Sequence, residues 1–196
     1  MSIQLVAVDL DGTLLKSDGI PAPRGIRALR AINRTGVRVV VATARRFLAS
    51  DETSYAEFGF PDPLICWDGG EIYRSYKRQL WQRNPIPLDV ACSILEFSDR
   101  EQLEISVGYS TVVYWKRRSG QDTEPPPGVA FTENYRETLD DAPLRLLTAE
   151  SRTIEALREF CTQLSPGSCR VQPYVNSEGE VSSLGISDNS RRCLQG

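Results

Sequence analysis

The chain has no histidine in 196 residues. Ser-His-Asp and Cys-His nucleophilic chemistry are therefore excluded, and so is any metal held by imidazole. It also lacks an apolar run near the ~20 residues that span a bilayer as a helix, and none is expected to cross a membrane. Its five cysteines (66, 92, 161, 169 and 193) are scattered and never spaced as C-x-x-C. That argues against a zinc ribbon or a disulfide framework and predicts reduced thiols in the cytoplasm. Acids stand near the N-terminus where an export signal would carry its apolar region, so no signal is expected. A net charge of −3 gives no global attraction for nucleic acid or an anionic membrane. No internal repeat is visible. The chemistry left to this chain is that of carboxylates, hydroxyls and cations.

What is present is ordinary globular material: 40% apolar and 25% charged residues, enough for one large domain or two small ones. The most informative stretch is Val6-Ala7-Val8-Asp9-Leu10-Asp11-Gly12-Thr13-Leu14-Leu15. Ile3 to Val8 reads as a buried strand of a parallel sheet. It ends in two carboxylates and a glycine, at the strand end where open α/β sheets bind their ligands. If the backbone stays extended, Asp9 and Asp11 fall on one side. Their repulsion would be relieved by a hard, oxygen-seeking cation such as Mg²⁺. A carboxylate can also attack phosphorus to give an aspartyl phosphate. Taken alone, D-x-D-G is equally an Asp/Gly turn after a strand.

Pro21 to Pro23 make a turn, and Ile26, Leu29 and Ile32 then recur on one helical face until Gly36. The β-branched run Val37 to Ala42 is a second buried strand. Strand, helix and strand within about forty residues make a right-handed βαβ unit. The second strand ends in Ala42-Thr43-Ala44-Arg45, where a hydroxyl beside backbone N–H groups suits a phosphate oxygen. Thr43 by itself would more often be a plain strand-end hydroxyl. A third apolar segment, Pro63 to Trp67, leads into Asp68-Gly69, read as a hairpin turn.

From about Trp81 the pattern changes. A helix is predicted through Leu88, Ala91, Ile94 and Leu95, and strands over 103–108 and 111–116. Glu124-Pro125-Pro126-Pro127-Gly128 must be an exposed loop. A strand at Leu144 to Leu147 follows, then a helix carrying Ile154, Leu157, Phe160, Cys161 and Leu164, ended by Pro166-Gly167. A further strand runs from Cys169 to Val175. Trp115, Lys116, Arg117 and Arg118 form the one basic cluster with an aromatic neighbour, read as a solvated hairpin end rather than a nucleic-acid patch.

The D-L-D-G-T order after an N-terminal strand resembles motif I of the haloacid dehalogenase (HAD) superfamily. The segment G-V-R-V-V-V-A-T-A-R resembles motif II in its Cof-type branch, where the usual form is A-T-G-R. Asp68 stands where that branch has the asparagine of N-G-A. The resemblance implies an α/β fold: a HAD-like Rossmannoid parallel-sheet core with an inserted α/β cap. It places the core at 1–80, the cap at 81–180 and a partial return to the core at 181–196. It implies that Asp9 is the nucleophile and that Asp11 is the general acid/base, with both on Mg²⁺. Gly12, Thr43 and Ala44 would be the phosphate-binding positions. The expected activity is Mg²⁺-dependent hydrolysis of a small phosphorylated metabolite.

The sequence departs from the family pattern in three places. Ala44 replaces glycine, which would be costly if that position needs positive φ. Arg191 or Arg192 stands about where the family has a catalytic lysine, and a guanidinium is not a point-charge ammonium. No G-D-x-x-x-D-type strand end follows Val181 to Ile186, so an incomplete core is expected, with Ile3 to Val8 as an open edge. Such an edge invites cover, including pairing with a second copy of the chain. A catalytically impaired HAD-like binding or interaction module is the alternative. A receiver-type phospho-acceptor domain shares strand-end acids, but D-x-D-G-T and an inserted cap argue against it.

Overall fold

The computed structural model describes residues 3–16, 19–47, 58–59, 63–74, 79–117, 124–164 and 167–189. The chain forms two compact units, Met1–Arg83 and Asn84–Gly196.

In the first unit, β1 (Leu5–Val8), β2 (Arg38–Ala42) and β3 (Leu64–Cys66) are parallel neighbours. β4 (Glu71–Tyr73) and β5 (Leu80–Arg83) extend the sheet antiparallel, in the order β1-β2-β3-β4-β5. The crossover helix α1 (Pro23–Arg34) carries proline in its first turn, where the missing N–H costs nothing. Its end passes through Gly36 at φ 89°, a left-handed position glycine takes without strain. Val39, Val40 and Val41 of β2 are all buried, as a strand covered on both faces requires. The pairing Val8↔Val41 brings the carboxyl ends of β1 and β2 side by side. β1 is an edge strand among the described residues, and Ile3 and Leu5 are 72% and 51% exposed.

The second unit holds a six-stranded sheet, β10-β11-β9-β6-β7-β8. Its strands are β6 (Ser106–Gly108), β7 (Val113–Lys116), β8 (Val129–Thr132), β9 (Arg145–Thr148), β10 (Arg170–Val175) and β11 (Val181–Ser187). Neighbours are antiparallel except β7 and β8. Two helices, α2 (Leu88–Arg100) and α3 (Ser151–Gln163), supply Ile94, Leu95 and Leu157 to a core shared with Val107, Leu146, Leu184 and Ile186. Each fully buried Leu or Ile in such a core contributes about 1.5–3 kcal/mol. Phe97 and Phe160 stack between the helices, ring centroids 4.1 Å apart.

The α/β class, the helices and the exposed loop 124–128 match the sequence-based expectation. The boundaries differ. Trp81 to Arg83 belong to β5 of the first sheet rather than to a cap. The segment at 181–187 does not begin a return to the core: β11 pairs with β9 on one side and β10 on the other, and buries Leu184 and Ile186 in the second unit. Nor is the basic cluster a hairpin end, because β7 runs parallel to β8. There Lys116 Nζ meets Asp99 Oδ1 at 2.9 Å, and Arg117 faces Glu133 and the Phe131 ring. Arg118 and Pro166 lie outside the described residues.

Candidate functional site

Three loops leave the carboxyl ends of the parallel strands, and the structure ties them together. In the first, Asp9 Oδ1 accepts the Leu10 backbone N–H at 2.8 Å. The chain then coils on the buried Leu10, whose carbonyl accepts from Leu14 N at 3.0 Å and Leu15 N at 2.7 Å. Extension therefore ends at Leu10, and the one-sided placement of Asp9 and Asp11 expected from an extended chain does not apply. Winding, with Leu10, Leu14 and Leu15 as its apolar anchor, sets the two acids instead. Gly12 sits at φ 71° with open space around it, so conformation rather than crowding demands glycine there.

In the second loop Thr43 is buried. Its N–H donates to Ile65 O at 2.9 Å and its hydroxyl oxygen accepts the Arg45 N–H at 3.1 Å. That bond uses the hydroxyl as acceptor and leaves its O–H to donate. Positive φ at non-glycine positions among the described residues falls on Trp67, Asp68 and Gln102. Ala44 thus occupies ordinary backbone space, and the strain that replacing glycine would bring does not arise.

Arg45 reaches back to the first loop. Its Nε donates to Asp11 Oδ2 at 2.8 Å and its Nη2 to Asp11 Oδ1 at 2.5 Å. The sequence pattern alone assigns Arg45 no role. Its place two residues beyond Thr43 was the available signal.

The third loop is the β3–β4 hairpin turn expected at Asp68-Gly69. Trp67 N donates to Arg45 O at 3.0 Å and Asp68 N to Thr43 O at 3.2 Å, stitching it to the second loop. Trp67 and Asp68 pay for this with left-handed backbones at φ 54° and 53°, unusual above all for a bulky tryptophan. Behind the turn Glu71 is fully buried and accepts Tyr73 O–H at 2.6 Å.

The acids at this site offer hard oxygen donors. Among the described residues no group of three or more His, Cys, Asp or Glu converges as a closed metal cage. Mg²⁺ asks for less: one or two carboxylates, retained waters and substrate phosphate oxygens. Asp9 and Asp11 are the carboxylates that would hold it, and both Asp11 oxygens already accept from Arg45. Arg191 and Arg192 lie outside the described residues, and Asp188-Asn189 stays with the second unit, where Asn189 Nδ2 donates to Gly167 O at 3.3 Å.

Strand-end acids, a strand-end hydroxyl and a second α/β unit together define an α/β protein of the phosphoryl-handling kind. Residues 6–178 match the haloacid dehalogenase-like hydrolase family, and the chain belongs to it. It is 24% identical over 139 residues to the pyridoxal phosphate phosphatase YbhA of Escherichia coli K12, covering 71% of this chain and 48% of that protein. It is 32% identical over 92 residues to the HMP-PP phosphatase of Serratia proteamaculans, covering 47% of this chain and 33% of that one. It therefore spans about half the length of the first relative and a third of the second. Among solved structures, a haloacid dehalogenase-like hydrolase from B. subtilis superposes with TM-score 0.72 at 19% identity, covering 95% of this chain and 74% of its own. The HAD subclass IIB sugar phosphatase BT4131 does so with TM-score 0.70 at 13% identity, covering 95% and 70%. These neighbours share the fold.

Proposed function

We propose that the chain carries the phosphoryl-transfer site of a Mg²⁺-dependent phosphohydrolase acting on a small phosphorylated metabolite in the cytoplasm. The observation that carries this reading is the Arg45–Asp11 fork, which joins the acid loop to the loop of the buried Thr43. Relatives named for pyridoxal phosphate and HMP-PP support the substrate class.

In this proposal an Asp9 carboxylate oxygen attacks phosphorus and the bond to the leaving oxygen breaks, leaving an aspartyl phosphate. Asp11 gives the leaving oxygen its proton. It then takes one from the water that attacks phosphorus, breaking the Asp9–phosphate bond and releasing inorganic phosphate. The Thr43 O–H donates to a non-bridging oxygen, beside the backbone amides of Gly12 and Ala44. Bound Mg²⁺ would neutralise phosphate charge next to Asp9, and positioning plus charge is most of what phosphoryl transfer requires.

The test is phosphate release from a generic aryl phosphate, with and without Mg²⁺, in the wild type and Asp9→Asn. Metal-dependent turnover that the substitution abolishes supports the proposal. The alternative is a catalytically impaired binding module. A folded wild type without turnover that still binds inorganic phosphate would establish that alternative. Among the described residues β1 is an edge strand, which further suggests pairing with a second copy, and a monomer by light scattering would end that suggestion.

A further inference from the structure

Two free cysteines of the second unit meet where α3 gives way to β10. Cys161 follows the buried Leu157 by one turn of α3, so helical period turns both toward the same core. The helix ends at Gln163, Leu164 leaves it with an extended backbone, and the chain passes through Gly167 at φ 84° to enter β10 at Arg170. This reversal packs Cys169 against that core as well, beside Val171, and the two thiols are hydrogen-bonded to each other. Both are half-buried, at the rim of the core rather than inside it. Cys161 also borders a cavity of about 570 Å³ with Arg158, Val171 and Pro173, which gives a small reagent a way in.

The remaining described cysteines are placed differently. Cys66 is wholly buried in β3 of the first unit, and Cys92 on α2 is engaged by Glu96 and by the Arg136 guanidinium. Within the pair the sulfurs are unequal. The hydrogen bond that Cys161 donates holds the Cys169 thiol below its ordinary 9.0, against the opposing effect of burial. The same bond, then burial and repulsion from the Cys169 sulfur, push Cys161 up. The thiolate is the attacking species in disulfide exchange, so Cys169 attacks and Cys161 resolves.

We propose that Cys161 and Cys169 form a redox-sensitive dithiol, which a low-molecular-weight disulfide closes to an intramolecular bond that ties the end of α3 to the start of β10. The Cys169 thiolate attacks one sulfur of the reagent, forming a mixed disulfide and expelling one thiolate. Cys161 then gives up its proton and attacks the Cys169 sulfur, expelling the second. The two protein thiols lose two electrons and two protons, and the reagent leaves as two thiols. The proposal does not depend on the phosphohydrolase reading.

The test uses the full chain in oxidised and reduced glutathione mixtures, with alkylation of remaining thiols and peptide mapping by mass. The folded chain should yield a linked Cys161–Cys169 peptide that dithiothreitol reopens, and Cys92→Ser should leave its yield unchanged. Cys161→Ser, whose hydroxyl can still donate to the Cys169 sulfur, should stop at a glutathione mixed disulfide on Cys169. Cys169→Ser should carry at least about tenfold less glutathione on Cys161, because burial still holds that thiol protonated. Closeness in sequence alone would also join the two cysteines in an unfolded chain. The glutathione equilibrium constant of the folded chain should therefore exceed that of the urea-unfolded chain by at least about tenfold. Equal constants in the two states overturn the proposal, as do thiols that both stay open to alkylation, or a bond from either one to another cysteine in place of the pair.

Discussion

Arg45 grips Asp11 with both arms of its guanidinium, Nε on Oδ2 and Nη2 on Oδ1, across 34 residues of sequence. Both side chains are about half exposed, 48% and 55%, so water screens the pair. A double-mutant cycle should give a coupling below about 1 kcal/mol. The fork's effect should appear in turnover instead, because it fixes the Asp11 carboxylate and adds positive charge beside the phosphate loop. Arg45→Gln should lower aryl phosphate turnover by roughly tenfold or more. Arg45→Lys, which keeps charge but loses the fork, should fall between. Wild-type turnover in Arg45→Gln would remove Arg45 from the site.

Ala44 stands where the Cof-type pattern has glycine, yet its backbone is not left-handed. Ala44→Gly therefore relieves nothing and frees the unfolded chain. It should cost about 0.4–1 kcal/mol in urea denaturation. A gain in stability would show strain at this position after all.

The acids, the βαβ unit and the helices were legible because period and residue type report them directly. A strand's partners are not reported that way. β11 shows its strand character in Val181 to Ile186, but only pairing with β9 and β10 reveals that it closes the second sheet. β5 is hidden for a similar reason: only its pairing with β4 assigns Leu80 to Arg83 to the first sheet, and its apolar Leu80 and Trp81 stay exposed there. Arg45 was missed because its reach to Asp11 depends on two loops folding together, which neither loop's composition states. Glu71 was passed over because an acid in a short strand reads as surface, whereas here it is wholly buried.

That buried carboxylate yields a stability prediction for the first unit. Glu71 accepts Tyr73 O–H at 2.6 Å, and Arg83 Nε lies 3.9 Å from its other oxygen. Arg83 is only a quarter exposed, so its charge is partly shielded from water. Arg83→Met removes a cation from beside the buried Glu71 carboxyl, and should cost about 2–4 kcal/mol, near the range for breaking a buried pair. Tyr73→Phe removes one donor and should cost about 1–2 kcal/mol. Urea midpoints of the two variants should keep that order, and equal midpoints would mean that Arg83 contributes little to holding Glu71.

Tyr135 makes the second unit sensitive to alkali. Its hydroxyl accepts Ile105 N–H at 3.0 Å and donates to Ile105 O at 2.9 Å, satisfying both backbone groups of a core residue. Burial first, with the nearby Asp99 charge adding to it, pushes the phenol up to about 12 from its ordinary 10.0. Below pH 10 the phenol is neutral in both states and the stabilisation is fully present. Between pH 10 and about 12 the unfolded chain loses this proton while the folded one keeps it, so stability falls as pH rises, by on the order of 3 kcal/mol in all. Tyr109, raised in the same direction by burial, adds to the slope. Tyr135→Phe cannot ionise but strands Ile105 N–H and C=O. It should be about 1–3 kcal/mol less stable at pH 8 and lose less than the wild type between pH 10 and 11.5. Lysine titration falls on both proteins alike, so the difference between their urea midpoints isolates Tyr135. Parallel pH profiles would show that the phenol is not held neutral by the fold.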